Sequence, residues 1–157
     1  METAYIALGS NLPSPAGTPE QTLETAIARL AELGPLLGRS SLYVTKPVGY
    51  ADQPAFVNAA VAIATPLGPH TLLEHLLEIE LAFGRDRSQG IPNGPRTLDL
   101  DLLLYGDRVL CSQVLQLPHP RMAERAFVLE PLAEFAPELI HPRFGKSVSQ
   151  LLQELAR

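Results

Sequence analysis

Hydrophobic and polar positions alternate along this chain in two periods. Residues 3 to 10, TAYIALGS, carry the β-branched and aromatic content of a strand and break at Gly9 into a polar loop. In the next stretch Leu23, Ala26, Ile27, Leu30 and Leu33 recur at helical spacing. Thr18 is placed as N-cap, Pro19 as first helical residue, Gln21 as the capping-box partner and Gly34 as the stop.

Residues 40 to 49 and 55 to 65 then read as two strands joined by a polar loop containing proline. A second helix is expected over 69 to 83, from Pro69 to the break at Gly84. Its apolar positions Leu72, Leu73, Leu76, Leu77, Ile79, Leu81 and Phe83 imply a face packed on a sheet. After a loop at 86 to 95 comes PRTLDLDLLLYG, a strand, followed by a tight turn, a short strand, an exposed Pro-His-Pro and one or two helical pieces. A last helix begins behind Ser147 and Gln150, placed as another capping box. The order β-α-β-β-α-β with helices added at the C-terminus predicts an α+β fold, helices layered on a mostly antiparallel sheet.

The 157 residues suit one domain, 1 to 157, able to bury roughly 68 to 70% of its unfolded surface. A net charge of −5 argues against bulk-charge binding to nucleic acid or to an anionic membrane. The lone cysteine, Cys111, and an N-terminus without the pattern of a signal peptide lead to the expectation of a cytoplasmic protein; a single domain of this size needs no partner to fold, so a monomer is expected, with an oligomer left open.

Chemistry concentrates around the aspartate strand. Asp99 and Asp101 are two apart, so they share a strand face with their Cα atoms about 6.5 to 7 Å apart, while Leu98, Leu100 and Leu102 cover the other. Carboxylates at a buried strand are costly, so either cations neutralise them or the face opens into a solvated site. Two carboxylates at this spacing suit hard cations such as Mg²⁺, which takes one or two protein carboxylates and completes its shell with phosphate oxygens and water.

Arginine predominates nearby: Arg85, Arg87, Arg96, Arg121 and Arg125, in a chain whose lysines are Lys46 and Lys146. The planar guanidinium fork favours bidentate phosphate contacts. Glu80 is spaced to pair with Arg85 across the helix end, and His119 is held between two prolines. Asn58, within an apolar strand, offers the donor and acceptor that match the edge of a lactam-like heterocycle, and Phe56 and Phe127 can sandwich such a ring. The chain has no P-loop, no dinucleotide-binding glycine motif and no zinc-type histidine spacing.

Taken together, YIALGSNL, the block from Thr45 to Val61 with its DQPAFVNAAV, IELAFGRDR, GPRTLDLDLLLYG and LPHPRMAERAFVLEPL resemble the 6-hydroxymethyl-7,8-dihydropterin pyrophosphokinase family of folate biosynthesis, over nearly the whole chain. The resemblance implies a ferredoxin-like core and transfer of the β,γ-diphosphate of ATP to the pterin hydroxymethyl oxygen, with release of AMP. It further implies that Asp99 and Asp101 hold two Mg²⁺ ions bridging ATP, and that Arg85 and Arg96 are catalytic. Arg85, Arg87, Arg96, His119 and Arg125, with Glu80 beside them, would contact the nucleotide. Asn58 would read the pterin edge, Phe127 would stack on the ring and Phe56 would occupy the place of a family tyrosine. Thr45, Pro47 and Val48 would line the pocket, with Asn11 a further contact.

The loops 46 to 55 and 86 to 95 are expected to close over ATP. The chain lacks tryptophan, and Asn93 stands near where some family members place one over the pterin. Two rivals share features with this reading. A two-metal nucleotidyltransferase also joins Gly-Ser to an Asp-x-Asp strand, but there the elements lie close in sequence, whereas Gly9 and Asp99 are far apart here. A non-catalytic ferredoxin-like RNA-binding module would show exposed strand aromatics and a basic face.

Overall fold

The computed structural model describes residues 1–46, 53–85 and 96–156, so the expectations for Pro47, Val48, Arg87 and Asn93 lie outside the described residues. Strand β1 (Glu2–Ser10) leads to helix α1 (Pro19–Leu30), extended by a 3-10 turn at Ala31–Leu33, then to β2 (Leu36–Arg39), β3 (Tyr43–Thr45) and β4 (Phe56–Thr65). Helix α2 (Pro69–Ala82), β5 (Asp99–Tyr105), the short pair β6 (Leu110–Cys111) and β7 (Gln116–Leu117), a 3-10 turn at Met122–Glu124, α3 (Ala126–Phe135) and α4 (Val148–Leu155) complete the order. Both expected capping boxes form, Thr18 with Gln21 and Ser147 with Gln150.

The main sheet runs β2-β4-β1-β5, with β3 also paired to β4, and its pairings are antiparallel. This is the ferredoxin-like α+β core with added C-terminal helices. Strand alternation divides its residues between two cores. Ile6, Leu8, Val57, Val61, Ile63, Leu100 and Leu102 pack with Leu23, Leu30, Leu72 and Leu76 of α1 and α2. On the opposite face Ala7, Ala60, Leu103 and Leu104 pack with Val128, Leu129 and Leu132 of α3 and with Leu151 of α4. A register shift opposite Tyr5 and Ile6 makes Leu103 an extra residue, which lets Leu103 and Leu104 enter the same core.

Three local expectations change. Of the strand foreseen from 40 to 49, the described residues form only β3 (Tyr43–Thr45), and a separate short strand not foreseen, β2 (Leu36–Arg39), precedes it. Gly34 explains the earlier strand. A Cβ there would lie 1.9 Å from the Ala64 carbonyl oxygen, so its absence lets the chain meet the end of β4, where the Ala64 N–H donates to the Pro35 carbonyl at 2.9 Å. In α2, Leu77 and Leu81 turn outward and the buried stripe is Leu72, Leu76 and Ile79, with Phe83 at the C-cap. His119 is partly buried because its N–H donates to the Leu103 carbonyl of β5 at 2.8 Å. Among the described residues no helix is long and apolar enough to cross a membrane.

Candidate active site

The end of β1 and the starts of β4 and β5 meet at one end of the sheet, with Gly9 opposite both Asn58 and Asp99, and Ala7 opposite Asp101. Strand parity turns Asn58, Asp99 and Asp101 toward the face that carries α3. That helix begins only at Ala126, so it covers Ala60 and Leu103 and leaves this end of the face open. A cavity of about 410 Å³ results, lined by both aspartates, Arg96, Asn58, Phe56 and Phe127 among others.

The cost of a carboxylate on β5 is met by arginines. Arg85 Nη1 donates to Asp99 Oδ1 at 2.5 Å and to the Leu98 carbonyl at 3.1 Å, and Arg96 Nη1 donates to Asp99 Oδ2 at 3.3 Å. Behind Arg85 stands Glu80, whose side chain is 2% exposed; its Oε2 lies 3.5 Å from Arg85 Nη1 and accepts the Leu100 N–H at 2.7 Å. Glu80 and Arg85 are absent from the cavity wall, and Arg85 reaches the site through Asp99.

Asp101 faces His119, Nε2 to Oδ1 at 3.9 Å. His119 Nδ1 accepts the Arg121 N–H at 3.2 Å, which leaves the neutral ring's proton on Nε2, toward Asp101. Burial first, then the Arg125 charge, pushes the proton affinity of His119 down; Asp99 opposes this and Arg121 adds to it. Neutral imidazole is the favoured form at pH 7.

The other side of the cavity is lined by an amide and two phenylalanines. The Asn58 amide donates to the Thr45 hydroxyl across β3 and β4, which orients the amide. Gly9 leaves room for it, since a Cβ there would lie 3.1 Å from Asn58 Oδ1. Phe56 and Phe127 each carry a guanidinium over the ring, Arg96 at 5.6 Å and Arg125 at 5.5 Å from the ring centroid.

Asn11 does not line the cavity. It is 2% exposed, its Oδ1 accepts the Arg96 N–H at 2.9 Å, and its amide donates to Gln53 Oε1 and the Pro54 carbonyl. It therefore ties the base of the aspartate strand to the segment before β4. Arg121, counted in the sequence among the arginines of this region, lines the cavity, as do Lys46 and Glu124, to which sequence reading had given no role. Only the fold brings Lys46 and Glu124 in.

Among the described residues no group of three or more His, Cys, Asp or Glu side chains is gathered to hold a metal ion. The Asp99 and Asp101 pair nonetheless fits Mg²⁺, whose usual donor set is one or two carboxylates completed by substrate phosphate and water.

Comparisons with known proteins find relatives over most of the chain. The 7,8-dihydro-6-hydroxymethylpterin-pyrophosphokinase (HPPK) family model matches residues 5–137. A 2-amino-4-hydroxy-6-hydroxymethyldihydropteridine pyrophosphokinase of Pseudomonas aeruginosa is 46% identical over 152 residues, 97% of this chain and 91% of that protein. The enzyme of the same description from Bacillus subtilis is 46% identical over 138 residues, 87% of this chain and 79% of that protein. Among solved structures, wild-type Plasmodium falciparum HPPK-DHPS is similar in fold, with a TM-score of 0.75 at 16% identity, over 98% of this chain and 44% of that one.

Proposed function

The chain belongs to the 7,8-dihydro-6-hydroxymethylpterin-pyrophosphokinase family, and on that premise we propose that it transfers the diphosphate of ATP to 6-hydroxymethyl-7,8-dihydropterin, a step of folate biosynthesis. The observation that carries this reading is one cavity with two chemistries: paired carboxylates among arginines at one side, an oriented amide and two phenylalanines at the other.

In the proposed reaction the hydroxymethyl oxygen forms a bond to the β-phosphorus of ATP, the bond from that phosphorus to the bridging oxygen of the α-phosphate breaks, AMP leaves, and the alcohol proton is released to solvent. Such a transfer depends on positioning and on charge stabilisation. Asn58, fixed by Thr45, reads the donor and acceptor edge of the pterin, and Phe127 with Phe56 holds its faces. Arg96 and Arg125 lie over those rings, between the pterin side and the phosphate side, where a guanidinium meets polyphosphate oxygens. Arg85 supports that end through Asp99, and Glu80 and Asn11 fix Arg85 and Arg96 from behind. His119 presents a neutral N–H beside Asp101, suited to a phosphate or ribose oxygen. Asp99 and Asp101 would hold two Mg²⁺ ions. Bound there, Mg²⁺ supplies charge neutralisation of the phosphate oxygens.

The test is an AMP-release assay with ATP, Mg²⁺ and 6-hydroxymethyl-7,8-dihydropterin, run with and without the pterin and with a chelator. AMP formed in equal amount with a diphosphorylated pterin, and lost with chelator, is the expected result. AMP release independent of pterin, or no product while ATP and Mg²⁺ bind, would overturn the assignment.

A further inference from the structure

Away from the cavity, one carboxylate joins α3 to the segment between β2 and β3. Glu134 Oε1 accepts from the Ser41 hydroxyl and from the Tyr43 hydroxyl, both at 2.6 Å, and Oε2 accepts the Ser41 N–H at 2.9 Å. Both oxygens are engaged, so the side chain has a set orientation although it faces solvent. The Ser41 hydroxyl, followed by Tyr43, lowers the proton affinity of Glu134, and Glu134 in turn raises that of the Tyr43 phenol, as hydrogen bonds to a charged carboxylate require. Beside this contact β2 meets α3 closely: a Cβ on Gly38 would lie 2.8 Å from the Phe135 ring.

Helix and strand periodicity connect this contact to the cavity. Seven residues of α-helix make close to two full turns, so Phe127 and Glu134 lie on one stripe of α3, about 10 Å apart along its axis. Tyr43 and Thr45 are two apart on β3 and share a face. Stripe and strand thus form two sides of one cleft. Glu134 bolts it at one end, on Ser41 and Tyr43; at the other end Phe127 and Thr45 line the cavity. Strand β3 lies at the edge, registered with β4 through Tyr43, Val44 and Thr45. So short a strand depends on tethers of this kind for its position.

We propose that Glu134 is a positioning residue for the ring-binding side of the site: by holding Ser41 and Tyr43 against α3, it sets the spacing between Phe127 and the Thr45–Asn58 pair. This rests on the pyrophosphokinase reading, because a flat heterocycle is the ligand whose fit depends on that spacing. The phosphate end is anchored separately, by Glu80 of α2, by Arg85 just past that helix and by Asn11 after β1, and does not depend on the clamp.

The experiment is steady-state kinetics of Glu134→Ala, Glu134→Gln and Tyr43→Phe in the full chain, varying pterin and ATP separately, with amide hydrogen exchange followed over 43 to 45. Expected for Glu134→Ala is a rise in pterin KM of about tenfold, with kcat and the KM for ATP within about threefold of wild type, the pattern of lost uniform binding of one substrate. Exchange at 43 to 45 should quicken. Tyr43→Phe, which removes one hydroxyl and spares the fold, should show a smaller rise, and Glu134→Gln, which keeps an acceptor, should recover part of the loss. Faster exchange with pterin KM unchanged would reduce Glu134 to a structural contact and overturn the proposal, as would an equal rise in both KM values. A wild-type chain that makes no pterin-dependent AMP would instead overturn the pyrophosphokinase reading and this role with it.

Discussion

Replacing Glu80 by alanine probes the link between the stability of the fold and the placement of Arg85. The Glu80 side chain is 2% exposed, accepts the Leu100 N–H at 2.7 Å and lies 3.5 Å from Arg85 Nη1. Alanine strands the Leu100 donor, at about 1–3 kcal/mol for a buried group left unsatisfied. Breaking a fully buried ion pair would add roughly 3–5 kcal/mol. That figure is too large here, since Arg85 is 14% exposed and keeps Asp99 and the Leu98 carbonyl. A total of about 3 kcal/mol follows, or a fall in Tm of roughly 6–12 °C for a chain of this length. Glu80→Gln keeps an oxygen for Leu100 and should cost about 1 kcal/mol. Urea unfolding of the two variants against wild type, with m unchanged, measures both values. If Glu80→Ala lies within about 0.5 kcal/mol of wild type, inside the range of ordinary surface substitutions, the account of Glu80 as partner of Leu100 and Arg85 is wrong.

Three further outcomes are expected. Asp99→Asn and Asp101→Asn should each lower kcat by about 10²–10³, several kcal/mol of transition-state stabilisation; unchanged turnover of both at saturating Mg²⁺ would remove them from the site. Gly34→Ala should cost about 2–3 kcal/mol by overpacking, because the new Cβ would lie 1.9 Å from a backbone carbonyl oxygen that cannot rotate away; an unchanged urea midpoint would contradict this. Stability should fall as pH drops below about 6.5, the ordinary histidine value. Burial first, then Arg143, lowers the proton affinity of His141, and burial likewise lowers that of His119. The unfolded chain therefore binds more protons than the folded one in the window from about 6.5 down to the depressed folded values, and the histidine contribution is fully present only above it. Unfolding midpoints from pH 7.5 to 5.5 should show this slope, and His141→Asn should flatten it; a midpoint constant across that range would refute it.

What was legible in the sequence was local. The boxes at Thr18 with Gln21 and Ser147 with Gln150 were readable because each is decided within one helical turn. The shared face of Asp99 and Asp101 follows from strand parity over three residues, and the pairing of Glu80 with Arg85 from helix-end spacing. What sequence spacing does not carry is decided by contacts across the fold. Strand β2 depends on how closely Gly34 meets Ala64, the extra residue at Leu103 on the pairing of β1 with β5, and the wall positions of Lys46 and Glu124 on the end of β3 and the turn before α3 both reaching the cavity. Asn11 was expected as a substrate contact, yet its side chain lies off the cavity wall and fixes the Arg96 backbone, a contact between residues 85 apart in sequence.

The two sheet faces explain why the cavity lies where it does. The face toward α1 and α2 carries Ile6, Leu8, Val57, Val61 and Ile63, large side chains that fill the layer against two helices. The face toward α3 carries Ala7, Gly9 and Ala60 on the central strands, so the helix above cannot be met everywhere by side chains. Where Val128 and Leu132 reach down, the layer closes into the smaller core. Beyond the start of α3 it stays open, and the residues there are polar: Asn58, Asp99 and Asp101. A carboxylate on this face needs compensation even in the folded chain alone, and Asp99 receives it from Arg85 and Arg96. The Arg85 guanidinium is held by Glu80, and the Arg96 backbone by Asn11. The arginines that make an aspartate tolerable on β5 thereby already stand beside the cavity, which under the proposed function would leave little to be reorganised when charge develops.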